Sequence, residues 1–326
     1  MVPIRLPRIS RRRLRRGFVV FVAVLASWLL VSSAVAYRLT RRYQTRIEEP
    51  APSPAWGQLE RHRLVTRDGQ ELGAWFVDGR DDAPSVLVLH GHKGRRWNSL
   101  SRAELLASHG CAVLMISHRA HGDSTGEFDD LGFGARHDVV AAVQFLEARR
   151  PGRPVVVDGS SMGAAAAVFA TAELGHRVRG YILESPYQDL EVAVWNRVEL
   201  ALPPLLCHIA YAGLKTVAPI FLPHLAEISP LLALAGIPDD VPVLILAGAD
   251  DRLARPEEAR ALHDRVATHG RLVFIPGAGH GDLLHSAPEL YARTVVAFCR
   301  EIATPARIRS TKISPSQDRG MRGMAR

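Results

Sequence analysis

Short apolar runs and longer amphipathic stretches succeed one another along most of this chain. Arg61 to Thr66 and Leu72 to Val77 read as two strands joined through Asp68-Gly69, a hairpin signal. Ser85 to Leu89 and Ala112 to Ile116 are unbroken apolar runs of the kind that fill buried parallel strands. Further strands are predicted at Pro154 to Val157, Tyr181 to Leu183, Val241 to Leu246 and Leu272 to Ile275. Helical periodicity predicts helices over Ser99 to Ser108, Ala135 to Ala148, Ala164 to Ala172, Pro256 to Ala267 and Pro288 to Arg300. Strand–helix alternation of this kind predicts an α/β fold, with a mostly parallel central sheet and helices on both faces.

Two stretches break the rhythm. Gly17 to Tyr37 is uncharged over 21 residues, long enough for a bilayer core that needs about 20. Seven arginines precede it (Arg5 to Arg16) and four follow it (Arg38, Arg41, Arg42 and Arg46). That bias predicts a signal anchor with residues 1–16 as a basic cytoplasmic segment and the remainder outside the cytoplasm. The alternative is a cleaved signal peptide and a secreted product, since Ala34-Val35-Ala36 matches A-x-A. The length of the run and the arginines directly after it favour retention. The second stretch, about 190–240, is rich in Leu, Ala and Pro and shows no strand. It predicts a small helical cap. Leu200 to Leu225 reads alternatively as a second span, but Pro203, Pro204, Pro219, Pro223 and Lys215 interrupt it. The expected organisation is therefore basic segment 1–16, anchor 17–37, linker 38–57, folded domain 58–301 and a disordered basic tail 302–326.

Charge narrows the function classes. The 326-residue chain carries a formal +8, yet residues 1–46 contribute +11 and residues 302–326 contribute +5, leaving −8 for residues 47–301. The basic character belongs to the flanks, which argues against a nucleic-acid surface on the folded domain. Cys111, Cys207 and Cys299 are an odd number without metal-like spacing and read as buried thiols. No H-E-x-x-H and no local His/Cys cluster occurs, so neither a metal nor a cofactor is implied.

The chemistry gathers around Gly159-Ser160-Ser161-Met162-Gly163, a G-x-S-x-G pentapeptide. Alone it is a weak signal. An apolar strand before it and an alanine-rich helix after it make it a candidate nucleophile elbow at Ser161, with Gly159 and Gly163 allowing close passage. Three further features converge on it. His90-Gly91-His92-Lys93-Gly94 follows the third strand and suits an oxyanion hole, formed by the backbone N–H groups of His92 and Met162. Gly248-Ala249-Asp250-Asp251 follows a later strand, and Asp251 is preferred over Asp250 as the acid, with Glu184 a weaker substitute. Gly277-Ala278-Gly279-His280-Gly281 follows the last strand and offers His280 as general base, with His285 as competitor. His118 and His121 are read as structural or pocket-lining.

The order Ser161, Asp251, His280 is nucleophile, acid, base, and from about residue 58 to 301 the chain resembles the α/β-hydrolase superfamily. His118-Arg119-Ala120-His121-Gly122-Asp123-Ser124 is similar to the superfamily's R-x-x-G-x-S loop. Within it, the chain resembles membrane-anchored serine hydrolases of the peptidase-like or esterase-like branch, although Arg255 stands where relatives carry an apolar-Pro step. The expected activity is hydrolysis of a small-molecule acyl ester or thioester, with lipidic substrates suggested by the apolar cap and the anchor. Peptide hydrolysis and non-catalytic binding on the same scaffold are the alternatives. Oligomeric state does not follow from the residues.

Overall fold

The computed structural model describes residues 11–281 and 283–304. Of the tail expected over 302–326, Ile302 and Ala303 end the last helix, and residues 305–326 lie outside the described residues, as do the first ten. Helix α1 (Arg11–Leu39) comes first, followed by β1 (Glu60–Val65), β2 (Glu71–Val77), β3 (Ser85–Leu89), α2 (Leu100–Ser108), β4 (Ala112–Ile116), α3 (Arg136–Arg149) and β5 (Val155–Ser160). Then come α4 (Met162–Phe169), the short α5 (Thr171–Leu174), β6 (Val178–Glu184), α6 (Leu190–Ala201), α7 (Pro204–Phe221) and the short α8 (Pro230–Ala233). Strand β7 (Val243–Gly248), α9 (Pro256–Arg265), β8 (Gly270–Ile275), the short α10 (Leu283–Ser286) and α11 (Pro288–Ala303) complete the order.

The eight strands form one sheet in the order β1-β2-β4-β3-β5-β6-β7-β8. Strand β2 is antiparallel to both β1 and β4, and the remaining pairs are parallel. The apolar runs of β3 and β4 are buried at every residue, as central strands covered on both faces require. Alternation divides them between two cores. Leu87 and Leu89 face α3, α4 and α9, whereas Val86 and Val88 face α2 and α11. A third cluster, including Phe133, Phe169, Tyr187 and Leu222, joins α4 to α6 and to the residue that ends α7, and α6 and α7 form the cap.

Residues 38–57, expected as a linker, lie against the domain. Arg42 donates to the carbonyls of Gly122, Ser124 and Gly126. Glu49 is fully buried, accepts from Ser117 Oγ at 2.6 Å and pairs with Arg96 at 3.0 Å. Composition concealed this because the attachment depends on one carboxylate meeting one distant guanidinium. Among the described residues, α1 and α7 are long and apolar enough to cross a membrane.

Candidate active site

The carboxyl ends of the parallel strands bring the site together, as expected for an open α/β sheet. Strand β5 turns into α4 through Ser161, which has φ 51 and ψ −111. A positive φ is strained for a residue with a Cβ, at a cost of about 1–3 kcal/mol. Two main-chain bonds hold it there: Ser161 N–H donates to Glu184 O at 2.8 Å, and Ser161 O accepts from Ala165 N–H at 3.0 Å. The flanking glycines are required by space. A Cβ on Gly159 would lie 2.5 Å from Gly163 O, and one on Gly163 would lie 2.7 Å from His90 O. The G-x-S-x-G spacing is thus the condition for strand, helix and the His90 loop to touch.

His280 stands in the loop after β8, beside Gly281 at φ 83. Its Nε2 lies 2.9 Å from Ser161 Oγ, and its Nδ1 lies 2.8 Å from Asp251 Oδ2. Asp251 is buried at the end of β7, and its other oxygen accepts from Leu253 N–H at 2.8 Å and Ala254 N–H at 2.9 Å. Burial alone would raise the Asp251 pKa. The His280 imidazole and the two N–H donors outweigh it and hold the carboxyl below its ordinary value. An ionised Asp251 at that distance assigns the ring proton to Nδ1 and leaves the Nε2 lone pair facing the serine hydroxyl. Asp250 is exposed and uses its N–H on Ala278 O, so of the two aspartates it is Asp251 that meets the His280 ring. His285 lines the same cleft, and Glu184 accepts from Tyr291.

The His90-Gly91-His92 turn passes against the elbow. A Cβ on Gly91 would sit 3.4 Å from Ser161 Cβ. Met162 opens α4, so its N–H has no intrahelical acceptor. The His92 side chain, for which sequence gave no role, has its Nδ1 3.0 Å from Asp129 Oδ2 and ties the turn to the next loop. His121 Nε2 lies 3.5 Å from the same carboxylate oxygen. His92, His121 and Asp129 therefore offer potential metal-ligand atoms within 4.8 Å of one another, a grouping that spacing along the chain did not reveal. His118 is fully buried 3.4 Å from Asp138 and has a structural position.

Beneath the serine lies an ionic layer that sequence reasoning missed. Arg102 donates to Asp158 at 3.0 Å and to Leu89 O at 2.7 Å, and lies 3.6 Å from Glu184. Tyr291 donates to Glu184. Burial raises the Asp158 pKa, and Arg102 offsets this only in part because Glu184 shares the same guanidinium. The one available signal was Asp158 itself, an acid inside an otherwise apolar strand. Above these groups opens a cleft of about 370 Å³ lined by Ser161, His280, His92, Arg197, Leu253 and Leu284, among others.

The family model described as the alpha/beta hydrolase family matches residues 86–294. The chain belongs to this family. An uncharacterized protein of Mycobacterium tuberculosis is 28% identical over 270 residues, covering 79% of this chain and 88% of the relative. Lysophosphatidylserine lipase ABHD12 of Gallus gallus is 32% identical over 158 residues, covering 46% of this chain and 40% of the relative. Among solved structures, the Pyrococcus furiosus esterase Pf2001 superposes with TM-score 0.63 at 23% identity, covering 78% of this chain and 97% of that one. The structural likeness is one of fold, consistent with the mostly parallel sheet and its flanking helices.

Proposed function

We propose that the protein is a serine hydrolase acting on acyl esters or thioesters. The observation that carries this reading is the continuous chain from Asp251 through His280 to Ser161, at 2.8 and 2.9 Å, opening into the cleft. Ser161 Oγ attacks the acyl carbonyl while His280 Nε2 takes its proton. Asp251 keeps the imidazole in the Nδ1–H tautomer and stabilises the imidazolium that forms. The N–H groups of His92 and Met162 donate to the tetrahedral oxyanion. His280 then returns the proton to the leaving oxygen or sulfur, and water resolves the acyl-enzyme. Family membership and the lipase relative support hydrolysis, and the lipase supports an acyl-lipid substrate.

In the same reading α1 is retained as a single span, with its amino terminus in the cytoplasm and the domain 58–301 outside. Its length, apolarity and flanking arginines support this.

Chain-length series of soluble esters and thioesters, with Ser161→Ala as the blank, test the proposal. Turnover should rise with acyl length and fall in the variant by roughly 10⁴-fold or more. Peptide turnover without ester or thioester turnover would overturn the substrate class.

A further inference from the structure

The anchor helix and the cap helix are packed as a pair. Trp28 Nε1 donates to Ile209 O at 3.0 Å. A Cβ on Gly213 would collide with Ser32 Oγ and meet the Trp28 ring, so glycine at 213 brings the two backbones together. The rings of Tyr37 and Phe221 lie 6.4 Å apart. These three contacts, 28 with 209, 32 with 213 and 37 with 221, increase in the same sense, so α1 and α7 run parallel. From Tyr37 back to Trp28 the shared length is about 13 Å, close to the half-thickness of a hydrocarbon core of about 30 Å.

The face of α7 turned away from the domain has the chemistry of a lipid contact. Leu205, Ile209, Ala212, Thr216 and Ile220 follow one another at helical spacing, and all five are exposed. Leu205 is 74% exposed and Ile220 75%. The stripe carries no charge. Its one hydroxyl, Thr216 Oγ1, donates to Ala212 O at 2.8 Å and so brings its own acceptor, as a polar group in hydrocarbon must. Lys215, off the stripe, pairs with Glu191 at 3.0 Å near the Tyr37 end of the shared length. The exposed face of α1 continues the surface with Val24 (63%) and Phe21 (63%).

We infer that the outer face of α7 is a lipid-docking surface. Held alongside α1, it is immersed in the acyl chains of the leaflet on the catalytic side, without crossing the bilayer. Helix α6 then separates lipid from the cleft. Its Trp195 packs on His208 and Tyr211 of α7, while its Arg197 lines the cleft. The inference rests on reading α1 as a span.

Spin labels on the full-length chain in phosphatidylcholine nanodiscs test it. Cys111, Cys207 and Cys299 are buried, so an added cysteine labels selectively. Leu205→Cys and Ile220→Cys should relax strongly with oxygen and weakly with a water-soluble nickel chelate, as Val24→Cys in α1 should. Arg153→Cys, at the far end of β5, should do the reverse. Aqueous behaviour at 205 and 220 with lipid behaviour at 24 overturns the docking surface and leaves the span intact. Aqueous behaviour at 24 overturns the span and the inference together. Protection from both relaxants at 205 and 220 means that a second copy covers the face, and also overturns it. In a second readout, Leu205→Glu with Ile220→Glu should slow turnover of bilayer-borne esters roughly tenfold or more while sparing a short soluble ester. Equal turnover of both substrates would overturn the docking surface.

Discussion

Helix α4 buries all eight of its residues between the sheet and the cap, whereas the 18-residue α7 buries only Cys207, Gly213 and Val217. Both are apolar. The difference lies in side-chain size and in what faces them. Four consecutive alanines, Ala164 to Ala167, let α4 lie close against β5, which the sharp turn at Ser161 demands. Helix α7 leaves Leu205, Leu206, Ile209 and Ile220 exposed and turns its one close-contact glycine inward, the reverse of a helix built for water. Apolarity alone therefore identifies neither role. Small residues where backbones converge mark the region that carries chemistry, and large residues without a protein neighbour mark the region turned to another solvent.

The closed region is tested hardest at its acid. Asp251→Asn should lower kcat roughly 10⁴-fold by removing the charge that fixes the His280 tautomer, while Asp250→Asn stays near wild type. Steady-state rates on one soluble ester decide this, and equal losses would move the role. The ionic layer comes next. Removing Arg102 leaves Asp158 and Glu184 without their cation, so Arg102→Ala should destabilise the fold by about 3–5 kcal/mol in denaturant titration. A loss under 1 kcal/mol would mean that Asp158 and Glu184 do not depend on that guanidinium.

How much of this was legible beforehand follows from how local each pattern is. Strands β3 and β4 were readable to the residue because their apolar runs end abruptly. Strand β6 was readable only from Tyr181, since exposed Arg179 and then Gly180 interrupt its start. The elbow, acid and base loops each carry a short signature after a strand, and their order in the chain matched a known arrangement. Arg102 and Glu184 carry no sign of their pairing, and Asp158 carries only its place as an acid in an apolar strand, because the partners stand 56 and 82 positions apart in sequence. Asp129 and His121 were likewise invisible as partners of His92. In α7 the apolarity was readable, but exposure was not, because Gly213 gains its meaning only from Trp28 and Ser32.

The contrast between the helices can be read directly from stability. Ala166→Leu overfills a fully buried site and should cost about 1–3 kcal/mol, whereas Leu205→Ala should shift detergent-solubilised stability by less than about 0.5 kcal/mol. Similar losses at both positions would mean that α7 is covered by protein after all.

The last prediction concerns pH. An acid with a raised native pKa binds its proton more tightly folded than unfolded. For Asp158 the neutral form supports the fold below the unfolded value near 4, and that support is lost as pH rises through the raised native value. Asp158→Asn stays neutral throughout. The Tm of the variant minus that of wild type should therefore increase between about pH 5 and about pH 9. A constant difference would show that Asp158 does not titrate in that range.

The central claim is that Ser161 is the nucleophile, and locating a covalent adduct tests it most directly. The full-length protein treated with a fluorophosphonate and digested should carry the phosphonyl group on Ser161. The adduct should be absent after Asp251→Asn under the same brief exposure, because the serine then lacks its oriented base. An adduct on Ser160, or on a residue outside the cleft, would contradict the account.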